Sequence, residues 1–397
     1  MTENRKRQIL NAILEEIELP ESAYDRAQNR YEDIGQWLHR PDSACCGYAP
    51  HVYPQGSFRL GLANKPLRNN EYDLDISCCL EDGLTKASIT QEQLKELIAN
   101  ELRDYRKARG ITEDVVYKRR CLRLEYRDDL SFHMDIVPSI PEAEDSRTTL
   151  KERMIANSHM DHQLAASVAE NAVAITDDQD SSFDTISGDW RISNPEGFAK
   201  WFESRMRTAQ TFLTEKELKI NASIDSLPTY QWKTPLQQAI QLLKRHRDIM
   251  YEGNEDSKPI SVIITTLAAR AYRGENRLSE ALETILAGME HQLQEKAPIV
   301  PNPVNPKEDF ADKWYDKEYE KDNLEMSFRR WLMQAKADFG AILNNSNSEK
   351  VNEATSRGLG IDSIKGKIEK IVGPAAAGAP TTVTGNTSPR PWLQPDD

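Results

Sequence analysis

Residues 55–76 read QGSFRLGLANKPLRNNEYDLDI, and the last five of them decide how the chain is understood. In a β-strand successive side chains alternate between faces, so Asp73 and Asp75 point one way while Leu74 and Ile76 point the other. Two carboxylates are thereby forced together. Like charges that close repel and push at least one pKa upward, a conflict that an oxygen-seeking divalent cation between them removes. A solvent-facing pair, or a charged device against edge-to-edge pairing, is the other reading of the same pattern.

A third acid has a matching setting. In SFHMDIVP, residues 131–138, Phe132, Met134 and Ile136 share one face and Asp135 lies on the other. If that strand neighbours the first, three carboxylates converge on one sheet edge, enough to hold two Mg2+ ions, with Mn2+ able to substitute, about 3.5–4 Å apart for in-line phosphoryl transfer. His133 reads as structural, since such chemistry needs no histidine. Upstream, Gly56 allows close backbone approach to phosphate, and a short helix opened by Ser57 would offer N–H groups and a hydroxyl to the β and γ oxygens.

The chain as a whole suits such an enzyme. Its 397 residues suggest two lobes, at about 100–200 residues per domain. With 38% hydrophobic and 29% charged residues it is a globular composition, and it has no apolar run long enough to span a membrane. The N-terminus carries a helical stripe (Ile9, Leu10, Ile13, Leu14, Ile17) rather than a signal-peptide core. Adjacent Cys45-Cys46 and Cys78-Cys79, with Cys121 left over, fit reduced thiols and a cytoplasmic location. A net charge of −13 argues against coating long nucleic acid, but leaves room for metal-chelated phosphates. The basic runs Lys118-Arg119-Arg120 and Lys244-Arg245-His246-Arg247 are either phosphate-facing walls or solvated faces.

Periodicity predicts helices near Glu21–His39 and Thr90–Arg109, and short strands at His51–Pro54, Tyr72–Leu80, Val115–Tyr126 and Ser131–Ile140. Residues 141 to about 190 are polar and read as a hinge or surface crossing. Beyond them the chain turns helical, with Asn194-Pro195 and Thr234-Pro235 as helix starts and further stripes over 257–272, 278–293 and 324–343. The expected architecture is α+β in two lobes: residues 1–190 as a mixed-sheet lobe with N-terminal helices, and 191–345 as a helical lobe closing the cleft. Residues 346–397 form an extension that is largely disordered from about 373, where Pro, Ala, Gly and Thr dominate.

The order of GS turn, Asp73-Leu74-Asp75 and a later single Asp135 resembles the nucleotidyltransferase superfamily of DNA polymerase β, poly(A) polymerase and CCA-adding enzymes. Within it the chain looks most like the cGAS/DncV-like group, the CD-NTases of bacterial anti-phage signalling (CBASS), together with oligoadenylate synthases, over about residues 20–345. The helix LQQAIQLLKRHRD is similar to the one whose lysine reaches the nucleotide phosphates, here Lys244, and KPISVIITTLAARAY supplies a matching serine, Ser261. IVPNPVNPKEDFADKW resembles a proline-and-acid segment of oligoadenylate synthases, PxxLDPxDPxxN. Other readings stand beside these: Lys244 is four residues from Asp248 and suits a surface ion pair, Ser261 suits a first-turn solvating role, and Pro301–Pro306 suits a rigid loop. GSFRLGL has Leu62 where the family often has threonine, and no zinc-ligand cluster is present.

The resemblance implies a polymerase-β-like core and a cyclic di- or trinucleotide second messenger made from NTPs with pyrophosphate release. Asp73, Asp75 and Asp135 would bind the metals, and Gly56, Ser57, Lys244 and Ser261 the triphosphate. A downstream effector reached through the product, and regulatory partner proteins, would complete the system. A template-independent RNA or small-molecule nucleotidyltransferase, and an inactive nucleotide-binding scaffold, are the rival expectations.

Overall fold

The structure is a computed structural model that describes residues 1–67, 71–126, 132–207 and 233–373. The first half runs α1 (Glu3–Ile17), α2 (Glu21–His39), β1 (Pro50–Pro54), α3 (Gly56–Arg59), β2 (Tyr72–Leu80), α4 (Gln91–Arg109), β3 (Val116–Tyr117), β4 (Leu122–Tyr126) and β5 (Phe132–Pro141). There follow α5 (Glu144–Ser158), α6 (His162–Ala169), β6 (Val173–Ile175), β7 (Arg191–Ser193) and α7 (Pro195–Arg207). The remainder is α8 (Pro235–Met250), α9 (Ser261–Ala271), α10 (Leu278–Gln292), the hairpin β8 (Pro301–Asn302) and β9 (Asn305–Asp309), α11 (Leu324–Asn344), α12 (Ser348–Leu359) and α13 (Lys365–Val372).

Seven strands form one mixed sheet in the order β1-β2-β5-β4-β3, with β6 pairing the far end of β5 and carrying β7. Among the described strands β2 and β5 are the parallel pair, and the other ladders are antiparallel. Alternation along β2 and β5 buries Leu74, Ile76, Met134 and Ile136 against α2 and α4. Thr90 caps α4 through a reciprocal bond with Gln93 (3.1 and 3.0 Å), and Gly110, at φ +67°, ends it. Thr234 and Gln237 form the same box ahead of Pro235, worth about 1 kcal/mol to the start of α8.

Two large apolar cores result, and they do not divide the chain by sequence position. One holds α2, α4 and the sheet. The other joins α7–α13 with α1, α5 and α6. The N-terminal stripe Ile9–Ile17 therefore packs into the helical half, although chain order suggested the first lobe.

Residues 141–175 correct a second expectation, while 176–190 run without helix or strand between β6 and β7. The first of these spans is not a hinge or surface crossing: Leu150 and Met154, four apart, and Ala165 and Val168, three apart, drive α5 and α6 into the second core, and β6 joins the sheet. The strongly polar α5 hid a narrow apolar stripe, and α6 is too short to display a clear one. The acidic stretch is anchored as well, since Asp177 is buried and accepts from Arg119 at 2.7 Å and Arg120 at 2.9 Å. The expected strand Val115–Tyr126 is broken at Lys118–Arg120, where buried Lys95 donates to the carbonyls of Lys118 and Arg119. Residues 68–70 of the basic, Asn-rich turn and the tail expected to lack order, 374–397, lie outside the described residues. All five cysteines are free thiols, and among the described residues no helix is long and apolar enough to cross a membrane.

Candidate active site

Between the sheet and the helical half lies a cleft of about 710 Å³, within the usual range for a small-molecule site. The β2–β5 register sets Asp75 opposite Asp135 and Asp73 opposite His133. Because all three aspartates sit on the face that Leu74, Met134 and Ile136 avoid, one oxygen from each lies within 4.8 Å of the others. The oxygen-only donor set suits a hard cation such as Mg2+ or Mn2+.

The electrostatics point the same way. Burial, with Asp73 and Asp135 adding their repulsion, pushes the Asp75 carboxyl up to about 8. Asp73, exposed at the mouth, is also raised, by desolvation first and Asp135 next. A cation seated among them would relieve both.

Arg123 is a member of this cluster that reading the sequence missed. It pairs with Asp135 across β4 and β5 and grips it with two bonds, Nε to Oδ1 at 2.6 Å and Nη2 to Oδ2 at 2.7 Å. Burial opposes this charge, but the bond to Asp135 raises the Arg123 pKa. The alternation Leu122, Leu124 against Arg123, Glu125 was a signal for its face, though not for its partner. His133 spends its ring nitrogens on Arg123, at 3.3 Å, and on Glu71, and stands outside the carboxylate group.

Gly56 has φ +63°, a left-handed conformation that side chains resist, and a Cβ there would overlap Asp75 Oδ2. The turn is thus moulded around the carboxylate. Ser57 is the second residue of α3 and lines the cleft. Arg59, two residues on, forks onto Glu196 of α7 at 2.8 and 2.9 Å and reaches Glu203 at 2.7 Å.

From the other side α8 presents a polar ridge to the backbone that follows the turn. Gln237 donates to the Leu60 carbonyl at 3.0 Å, Gln241 to Ala63 at 2.9 Å, Lys244 to Leu62 at 3.0 Å, and Arg245 to Lys65. The run Lys244–Arg247 is accordingly buried, not a solvated face. Lys244 makes no surface pair with Asp248, which binds Arg247 at 2.7 Å and Lys258 at 3.1 Å instead. Burial, then the neighbouring Arg247, lowers the Lys244 ammonium to about 8. Ser261 opens α9 on the cleft wall, its hydroxyl accepting from Arg247 at 2.7 Å. Pro301–Pro306 is no mere loop but part of the β8–β9 hairpin.

The structure therefore brings Gly56, Ser57, Asp73, Asp75, Lys244 and Ser261 to one cleft, with Asp135 within the same carboxylate group. Such an arrangement can seat a cation between carboxylates and a polyphosphate on the turn beside it.

A family model described as Cyclic GMP-AMP synthase DncV-like, nucleotidyltransferase domain, matches residues 50–138, the span from β1 through most of β5. The chain is 33% identical over 327 residues to the c-di-GMP synthase of Roseivirga ehrenbergii, covering 80% of this chain and 76% of that one. It is 27% identical over 330 residues to the cyclic dinucleotide synthase CdnG of Bradyrhizobium diazoefficiens, covering 77% and 70%. The structure of that CD-NTase in complex with GTP superposes with a TM-score of 0.62 at 22% identity, over 92% of this chain and 98% of that one. The E. coli MS115-1 CdnC:HORMA-deltaN complex matches with a TM-score of 0.56 at 13% identity, over 90% and 97%, and so shares the fold.

Proposed function

The chain belongs to the cGAS/DncV-like nucleotidyltransferases, the CD-NTases, and from that premise we propose that it joins NTPs into a cyclic di- or trinucleotide second messenger, releasing pyrophosphate. One observation carries the reading: Asp73, Asp75 and Asp135 gather within 4.8 Å beside the Gly56–Ser57 turn.

In this reading Asp73, Asp75 and Asp135 hold Mg2+, or Mn2+ in its place. Bound there, the cation would neutralise charge on the triphosphate and acidify the acceptor hydroxyl. The backbone N–H groups after Gly56 and the Ser57 hydroxyl orient the β and γ phosphates, and Lys244 and Ser261 oppose them from the helical wall. A carboxylate oxygen of Asp135 takes the proton of the attacking ribose hydroxyl. Arg123, which holds both of those oxygens, sets their direction and must share one for the transfer.

Residues 1–190 supply the carboxylate wall and 191–345 the closing wall, with α1, α5 and α6 lent to the second core. We place the reaction in the cytoplasm, where NTPs are made, and its product upstream of an effector in anti-phage defence, under control of partner proteins. The c-di-GMP synthase named above favours a dinucleotide over a trinucleotide.

The test is to incubate the protein with all four NTPs and Mg2+ and analyse the products by mass spectrometry. Phosphatase-resistant cyclic nucleotide and pyrophosphate are expected. Linear tails on RNA, or a nucleotidylated small acceptor, would overturn cyclisation. No product at all, with unchanged phage protection after Asp73→Ala and Asp75→Ala together, would mark a scaffold.

A further inference from the structure

Beyond the carboxylates the cleft continues to a wall of different character. Ile192 of β7, Val304 and Phe310 at the β8–β9 hairpin, and Phe198 of α7 line it with apolar surface. The rings of Phe198 and Phe310 meet edge-on at 6.2 Å, giving an aromatic platform of the kind on which nucleobases stack. Set into this wall is a carboxylate, Glu308.

Its orientation is fixed from two sides. Oε2 accepts from Asn302 Nδ2 at 2.7 Å, and Oε1 accepts from Arg191 Nη2 at 2.5 Å. The Asn302 carbonyl oxygen is itself taken by the Val304 N–H at 3.0 Å, so this amide does not exchange donor for acceptor. The Glu308 side chain keeps 23% of its surface exposed and lines the cleft. Each carboxylate oxygen retains a further lone pair, so the wall offers two parallel acceptors and, on the carboxylate itself, no donor.

Only one common nucleobase matches that pattern. Guanine has two adjacent donors on its Watson–Crick edge, N1–H and the N2 amino group. Adenine and cytosine set a bare ring nitrogen beside their amino group, and uracil flanks its single N–H with carbonyls. Each of these would aim a lone pair at a carboxylate oxygen and leave it unpaired. Resting on the cyclase reading of the same cleft, we propose that Glu308, held by Asn302 and Arg191, selects guanine, and that GTP is the substrate taken by this part of the site.

The experiment uses the full chain and compares GTP, ATP, CTP and UTP both for turnover and for nucleotide-induced thermal stabilisation. ITP, which is GTP without the N2 amino group, tests the wild-type protein directly. GTP should be used and bound in preference to the other three, ITP about tenfold less well than GTP, and Glu308→Gln should lower the GTP-over-ATP ratio about 100-fold, since a site built for a hydrogen bond rejects a mismatch strongly. Glu308→Asp should fall between. Equal use of ITP and GTP by the wild-type protein would overturn the assignment without any variant. So would a Glu308→Gln protein that keeps its base ratio, or loses all four nucleotides in parallel. Wild-type protein that binds GTP over ATP and ITP yet makes no cyclic product would sink the cyclase reading and leave the guanine assignment standing.

Discussion

Asp75 of β2 and Asp135 of β5 are register partners on neighbouring parallel strands, so the carboxylate group is built by sheet pairing and not by a flexible loop. Strand-borne ligands are held to within a fraction of an ångström by the ladder itself. Asp75→Asn and Asp135→Asn should each reduce nucleotide transfer by about 1,000-fold or more, as expected where a group acts on transition-state charge. Differential scanning fluorimetry in EDTA should find Asp75→Asn at least as stable as the unaltered protein, because it replaces a buried carboxyl that is costly to ionise, and Mg2+ should stabilise it less. A variant that keeps normal turnover would remove Asp75 from the site.

Gly56→Ala is expected to damage the same group through the backbone. At φ +63° an added side chain costs about 1–2 kcal/mol, and its Cβ would also drive Asp75 aside. Chemical denaturation should register the modest loss of stability, while turnover falls by far more. Equal, small effects on both would show that the turn does not govern the carboxylate.

Arg123→Met should separate holding from reacting. The guanidinium occupies both oxygens of Asp135, so its removal frees them for a cation while leaving the side chain less well aimed. Calorimetric titration without nucleotide should find Mn2+ bound more tightly, and kinetics should find kcat lowered. Weaker Mn2+ binding would contradict the competition.

Lys244 is expected to set an alkaline limb in the proposed reaction. Its folded pKa, about 8, lies below its ordinary value, so the folded protein sheds this proton before the unfolded chain does. Its contribution to stability therefore improves as pH rises from about 8 toward 10.5. Its attraction for phosphate moves oppositely, and kcat/KM for NTP should fall as pH passes about 8. In Lys244→Gln this limb should be absent; if it survives unchanged, another group is responsible.

In the helical half, Asp338 is fully buried. It accepts from His246 at 3.1 Å, Gln334 at 3.0 Å and the Arg357 Nε at 3.1 Å. Burial opposes its charge, yet these bonds hold its pKa below the ordinary carboxylate value. The stability they give is present above about pH 4 and lost as the group is protonated below it. Asp338→Ala leaves His246 and Arg357 without their anion and should cost about 3–5 kcal/mol in urea unfolding at pH 7. A loss under 1 kcal/mol would show the network to be idle.

The features readable from sequence were those set by near neighbours. Alternation placed Asp73, Asp75 and Asp135 away from the apolar face, and Thr90 and Thr234 announced their helices. What escaped was set by distant partners. Nothing near Arg123 says that Asp135 will sit across from it, and nothing in the stripe Ile9–Ile17 says which core it will join. The i,i+4 spacing of Lys244 and Asp248 suggested a pair, but Leu62, 182 positions away, claimed the lysine. In α5 two buried apolar residues, Leu150 and Met154, were too few to stand out from their polar neighbours, and α6 is only eight residues long, too short for its stripe of Ala165, Val168 and Ala169 to show a period.

The carbonyls of Leu60, Leu62, Ala63 and Lys65 are tied to one rigid rod, α8, while Gln55 N–H is tied at 2.8 Å to the Asp75 carbonyl. With each bond worth roughly 1 kcal/mol, the backbone past the turn is coupled to the helical half and the backbone before it to the sheet, while Phe58 and Ala63 pack back into the sheet-side core. Gly56 is the joint between the two. A shift of α8 against the sheet would therefore be felt at the turn whose Cα lies against the Asp75 carboxylate.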